Sequence, residues 1–358
     1  MSRRGMERPG TAALAALVLM LASTPGLLPA SPAPSILPSG KTAASQATEA
    51  AGGPFEEAER LFRERNFPAA EPLFRRIPNT SSHYPKAQLR LGTIYYAAGQ
   101  PDLAEVFLRT HLRLRQSPEG HTLLAGVLLN QGKFDPAIES ARKAIALDKG
   151  YARAHTALGM IYATMEDFPK ALAAFRSALG LDDRDANTWF LLGRSYFLSH
   201  QPAMAREALE NALQLNPQVV EIYSQLAQTL ARLGESVRAE EVFAQGVEKN
   251  RLRTPPDKGI HIAYGLFLAG LDRGEESCQQ FRAVTRFSPQ DPEAHYELAK
   301  VLFQMKRFAE AARAADRAVT LDRSDYRIHY LMARIYTALG DAGKAEEHAR
   351  NAVYVEQK

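Results

Sequence analysis

A unit of 34 residues returns nine times between Ala51 and Lys358, and this recurrence constrains the fold more than length or composition does. The blocks begin at Ala51, Pro85, Pro118, Ala152, Ala186, Val220, Lys258, Pro292 and Tyr326, with one residue missing before Pro118 and four added, TPPD, at 254–257. With positions numbered from 1 in each block, slot 8 is Gly or Ala in all nine, Gly159 and Gly193 among them. Slot 20 is Ala in eight blocks, Ala171 and Ala205 among them, and Ser277 in the other, while slot 11 holds only Leu or Tyr. A unit this short cannot bury its apolar face alone, so the blocks must stack on one another.

Within a block, apolar slots 4, 7, 8 and 11 follow helical spacing, and slots 20, 24 and 27 do so again. Two amphipathic helices per block follow, and the chain is expected to be all-α. Gly99, Gly132 and Gly234 at slot 15 mark the turn between them, and Pro217 and Pro289 at slot 32 fall after the second helix has ended. The small residues at slots 8 and 20 let the two axes approach, so that larger side chains at slots 4, 7, 11 and 24 interlock.

The pattern resembles the tetratricopeptide repeat family. Its motif residues are matched in block five by Trp189, Leu192, Gly193, Tyr196, Ala205, Ala212 and Pro217, with Leu209 where the family has phenylalanine. The resemblance covers residues 51–358 and is weakest in block one, which has Pro54 at slot 4. It implies a right-handed α-solenoid of about nine helix-turn-helix repeats, whose concave face is lined by the first helix of each block and receives a peptide or a partner helix.

Five histidines, His121, His155, His261, His295 and His329, recur at slot 4, where the family motif has an aromatic ring. Successive blocks are displaced along a solenoid, so these rings form a file and cannot converge on one metal; they are read as packing. No phosphate-binding loop, dinucleotide fingerprint, HExxH or GxSxG stands in the chain. No catalytic residue, metal or cofactor is expected, and the chain is read as a non-enzyme. The single cysteine, Cys278, excludes an intramolecular disulfide and reads as a bystander on a helix. Of the net charge of +4, Arg3, Arg4 and Arg8 against Glu7 supply two, and no cluster of basic residues marks a nucleic-acid surface.

Slots 2, 5, 9 and 12 point toward the concave side by helical geometry. They hold Phe190, Arg194 and Phe197 in block five, Tyr296, Lys300 and Phe303 in block eight, and Tyr330 and Arg334 in block nine. Aromatic and Arg side chains dominate interface energetics, so these eight are the candidate partner-binding residues. Family members that bind chaperone C-termini carry Lys at slot 5 and Asn at slot 9. No block here has either, and only Lys86 and Arg90 mimic part of that set.

The N-terminus has secretory order: charges in MSRRGMERPG, the apolar run TAALAALVLMLAS, then helix breakers and small residues. The expected organisation is a signal peptide over 1–30, a Pro/Ala/Ser-rich tether over 31–50 that cannot bury enough surface to order, and the repeats over 51–358. The resulting expectation is an exported scaffold, periplasmic or extracellular, that binds a protein or peptide, with no membrane span once the leader is removed. The alternative is a substrate-recruiting or regulatory subunit of a separately encoded envelope enzyme or export assembly.

Overall fold

The computed structural model describes residues 53–356, all of whose regular structure is helical; the leader and tether read from residues 1–50 lie outside them. Two compact units divide the chain, one ending at Ser199 and the other beginning at His200. Unit 1 contains α1 (Pro54–Arg63), α2 (Phe67–Arg75), α3 (Tyr84–Ala97), α4 (Pro101–Leu114), α5 (Pro118–Asn130), α6 (Phe134–Leu147), α7 (Ala152–Thr164), α8 (Phe168–Leu181) and α9 (Ala186–Leu198). Unit 2 contains α10 (Pro202–Leu215), α11 (Val220–Arg232), α12 (Ser236–Asn250), α13 (Lys258–Gly270), α14 (Gly274–Phe287), α15 (Pro292–Gln304), α16 (Phe308–Leu321), α17 (Tyr326–Leu339) and α18 (Ala342–Glu356).

The small slots are where the interior is tightest. Ala70, Ala104, Ala137, Ala171, Ala205, Ala239, Ser277 and Ala311, all at slot 20, have no solvent exposure. At slot 8, a methyl group added to Gly159 would lie 2.6 Å from the ring of Phe175, one added to Gly92 2.6 Å from Leu108, and one added to Gly265 2.8 Å from Phe281. Phe175, Leu108 and Phe281 are the slot-24 residues of the same blocks, so the missing side chain at slot 8 is the space that the large one fills. Cys278 is no bystander: it is buried in the apolar cluster of α14 to α17, where desolvation pushes its thiol pKa up.

The turn at slot 15 has one backbone conformation whatever its residue. Gly99, Gly132, Gly234 and Gly340 have φ of 70–81°, and Arg65, Glu166, His200, Asp272 and Lys306 are left-handed as well, at 59–61°. The tight reversal requires positive φ, and five blocks accept the side-chain strain of that region. First helices are opened by aspartate at the N-cap: Asp185, Asp257, Asp291 and Asp325 each accept a hydrogen bond from a backbone N–H of the first turn. The four-residue insertion is clamped by buried Asn250, whose amide donates to the Asp257 carbonyl and accepts from the Asp257 N–H, both at 2.7 Å.

Slot 4 has a role that explains three of its five histidines, His121 and His261 bonding the side chains of Gln116 and Gln280 instead. The ring donor there reaches the backbone carbonyl six residues earlier, in the turn between blocks: His155 to Lys149 at 3.4 Å, Trp189 to Asp183 at 2.8 Å and Tyr223 to Pro217 at 3.0 Å. His295 to Pro289 at 3.2 Å and His329 to Arg323 at 3.3 Å repeat it. A ring carrying N–H or O–H packs against the helix and satisfies a turn carbonyl at once. Histidine does this by donating from Nε2, because the carbonyl can only accept.

Three other histidine environments make the native state sensitive to acid. His111 is buried between the Pro85 carbonyl and the Ser117 hydroxyl, at 2.7 and 2.8 Å. His121 bonds Gln116 at 2.7 Å, and His348 meets Nδ1 of His329 at 3.1 Å while stacking on Tyr336. Desolvation is the first cause that lowers the pKa of His111, His121 and His348 below 6.5, followed by a backbone bond that opposes it at His111 and by nearby cations or imidazoles at the others. The unfolded chain therefore binds protons at these sites before the folded chain does, and stability falls as pH drops through about 6.5. The urea midpoint is expected to be lower at pH 5.5 than at pH 7.5, above the range where the paired carboxylates titrate; an unchanged midpoint would contradict the burial of these rings.

Candidate functional site

The eight candidate residues do not all lie where helical spacing put them. Phe190 is a correction: it is 7% exposed, buried instead of standing open. Phe197 and Arg194 are half-buried. Arg194 has no hydrogen bond or carboxylate among the described residues, and desolvation pushes its pKa below the ordinary guanidinium range. The structural positions fall inside: Gly159, Ala171, Gly193 and Ala205 are buried, and Trp189 is half-buried. Pro217 is exposed and gives its carbonyl to Tyr223. On α8, the second helix of block four, Lys170 is an exposed residue paired with Asp167 at 2.6 Å, whereas Arg176 is tied to the Tyr196 hydroxyl.

Unit 2 gathers the other five candidates into one pocket. Tyr296, Lys300 and Phe303 come from α15, and Tyr330 and Arg334 from α17, both first helices of their blocks. Lys306 from the slot-15 turn, Phe308 from the start of α16, and Tyr326 and Arg327 complete its charged and aromatic lining. The spacing of slots 5, 9 and 12 sets successive side chains along one helix stripe, and the neighbouring block brings a second stripe beside it.

Rings and cations interleave in this pocket. The Arg334 guanidinium lies 4.8 Å from the centre of the Phe303 ring and 5.9 Å from that of Tyr330. Arg327 and Lys300 lie 5.1 and 5.9 Å from the Tyr296 ring. Such contacts hold the cations over aromatic faces and limit their rotamers. Lys300 is paired with buried Glu297 at 2.9 Å, and Arg327 with Asp325 at 2.6 Å and Glu293 at 2.9 Å. Arg334 and Lys306 have no carboxylate partner among the described residues, and no carboxylate lines the pocket. Tyr330 is 60% exposed, and Tyr326 is 45% exposed. Exposed rings beside unpaired cations form a surface that attracts negative charge and covers apolar groups.

Among the described residues, no three His, Cys, Asp or Glu side chains are grouped to hold a metal ion, and no helix is long and apolar enough to cross a membrane.

The same helix pairs are found in known proteins. A Pseudomonas aeruginosa pilF structure is 21% identical with a TM-score of 0.51, covering 62% of this chain and 97% of its own. The Cut9 complex with Hcn1 from the APC/C, 15% identical with a TM-score of 0.53, covers 82% of this chain and 57% of its own. These likenesses are to the fold. No curated protein matches the chain. Tetratricopeptide repeat patterns match residues 61–127, 196–255 and 275–335, together more than half of the chain, and others match 122–187 and 326–358. With eight helix pairs in one register within the two units behind those matches, the chain belongs to the tetratricopeptide repeat family.

Proposed function

We propose that this protein is a docking scaffold that captures an acidic, partly apolar polypeptide segment of a partner in the first-helix pocket of unit 2. The family's fold implies a protein-interaction scaffold, typically without catalysis; the choice of segment rests on the pocket itself. Four cations line it beside the rings of Tyr296, Phe303 and Tyr330; Lys300 and Arg327 are paired with neighbouring carboxylates, and Lys306 and Arg334 have none among the described residues. An acidic side chain would pair with Arg334 or Lys306, and a proline, aliphatic or aromatic neighbour would cover Tyr330. Charge of one sign also raises the association rate of an oppositely charged segment.

Affinity selection of a random displayed peptide library on the full chain tests this reading. Enrichment of Asp or Glu next to apolar residues is expected, and its disappearance when Tyr330→Ala and Arg334→Glu are combined. Enrichment of basic peptides, or the same peptides on both proteins, would refute it.

We propose further that the scaffold works outside the cytoplasm, on the strength of the charge, apolar and small-residue order at the N-terminus. N-terminal sequencing of native protein is expected to return Ser31 or Pro34; recovery of Ser2 from a cytoplasmic fraction would end that reading.

A further inference from the structure

Unit 1 has a pocket of its own on the side lined by its first helices, with different chemistry. Tyr96 from α3 and Thr122 from α5 line it, each 6% exposed, and both hydroxyls lack a hydrogen-bond partner among the described residues. Other buried hydroxyls of this unit are served: Thr93 donates to the Leu89 carbonyl at 3.0 Å, Ser195 to Leu191 at 2.8 Å, and Thr156 and Thr188 bond each other at 2.8 Å. A buried hydroxyl left unbonded lowers stability, so two on residues that line one pocket need an explanation from outside the unit's own packing.

The charges around the pocket select the group that would serve them. Arg90 is held between Glu59 at 2.8 Å and Glu119 at 3.1 Å, so its charge is already balanced. Glu119 and Arg153 also line the pocket, so that together with Arg90 and Glu59 the charges offset one another and give an incoming carboxylate no net attraction. A hydroxyl both donates and accepts, and a peptide group offers a carbonyl and an N–H together. Gly126, also in the lining, occupies slot 9, where every other block has a side chain. The gap lets another backbone come close.

We propose that unit 1 carries a second recognition site, in which the hydroxyls of Tyr96 and Thr122 hold an uncharged main-chain amide of an extended polypeptide segment. It is independent of the cationic pocket of unit 2 and complements it: one site reads charge and apolar shape, the other reads backbone.

The test uses the full chain labelled with carbon-13 at threonine methyl groups, titrated with N-acetyl-alanine-N-methylamide as the main-chain probe and with acetate as the carboxylate probe. The neutral probe is expected to shift the Thr122 signal saturably, and acetate to do so more weakly. Tyr96→Phe and Thr122→Val should each weaken the response about 3- to 10-fold, the worth of one hydrogen bond. Each should also raise the thermal midpoint, because it removes an unsatisfied polar atom. The chain with Tyr330→Ala and Arg334→Glu should respond as wild type, which separates this site from the one in unit 2. Equal probe affinity in the hydroxyl variants would overturn the assignment and leave those groups to solvent. Lowered midpoints would also overturn it, by making the hydroxyls structural, and so would tighter binding of acetate, by making the ligand a carboxylate.

Discussion

Replacing Gly159 by leucine is expected to destabilise the protein by about 3 kcal/mol or more, the upper end of what overpacking a well-filled core costs. A Cβ at this position falls 2.6 Å from Cδ1 and Cε1 of Phe175 and 3.0 Å from Cζ. Phe175 has no solvent exposure and so no open side into which its ring could swing. The helix pair α7 and α8 must therefore separate, and that separation propagates to α6 and α9, which pack against them within unit 1. Alanine at the same site is a graded control. Ala58 and Ala227 stand at slot 8 of blocks whose slot 24 is Phe74 or Phe243, so a methyl group is accommodated elsewhere in the repeat. The helix propensity gained by removing a glycine, about 1 kcal/mol, should offset much of the crowding. Urea unfolding of the two variants checks this ordering. A leucine variant as stable as wild type would mean that slots 8 and 24 do not face each other.

The largest expected effect on binding comes from combining Tyr330→Ala with Arg334→Glu. Tyr330 is largely exposed, and Arg334 touches only the faces of Phe303 and Tyr330 among the described contacts, so neither closes a helix pair. Stability should change by about 0.5 kcal/mol or less, as for surface substitutions in general. Affinity for an acidic segment should fall far more. Residues at the centre of an interface are typically worth about 2 kcal/mol or more each, and the glutamate adds repulsion in place of attraction. A loss of about 2–4 kcal/mol corresponds to roughly 30- to 1,000-fold in Kd. Lys170→Ala, on an exposed residue outside this pocket, should leave affinity unchanged.

The repeat was legible because small residues at slots 8 and 20 carry a steric meaning that no composition effect imitates. Three glycines announced the slot-15 turn. The left-handed conformation of Arg65, Glu166, His200, Asp272 and Lys306 could not be read, because the backbone requirement there overrides residue preference. The slot-4 histidines read as packing from their spacing, but the bond of His155, His295 and His329 to the carbonyl six residues earlier depends on how the preceding turn returns, which spacing alone does not give.

The candidate site was legible to a similar degree. Slot arithmetic collected Tyr296, Lys300, Phe303, Tyr330 and Arg334, and the structure sets all five around one pocket. Phe190 is buried where the slot spacing had it open, because helical spacing gives a direction but not what packs over the side chain. Tyr96 and Thr122 occupy slots 12 and 5 of their blocks, so the same arithmetic reaches them. What marks them is not a ring beside a cation but a missing hydrogen-bond partner, which only the tertiary structure reveals.

Calorimetric titration of the tightest selected acidic peptide into the full chain, and into the chain with Tyr330→Ala and Arg334→Glu, tests the docking surface most directly. The account predicts one saturating site in the wild type that weakens as added salt screens it, and at least roughly 30-fold weaker binding in the variant with its thermal midpoint preserved. Equal affinity in the two proteins, or binding to wild type that salt leaves unchanged, would contradict it.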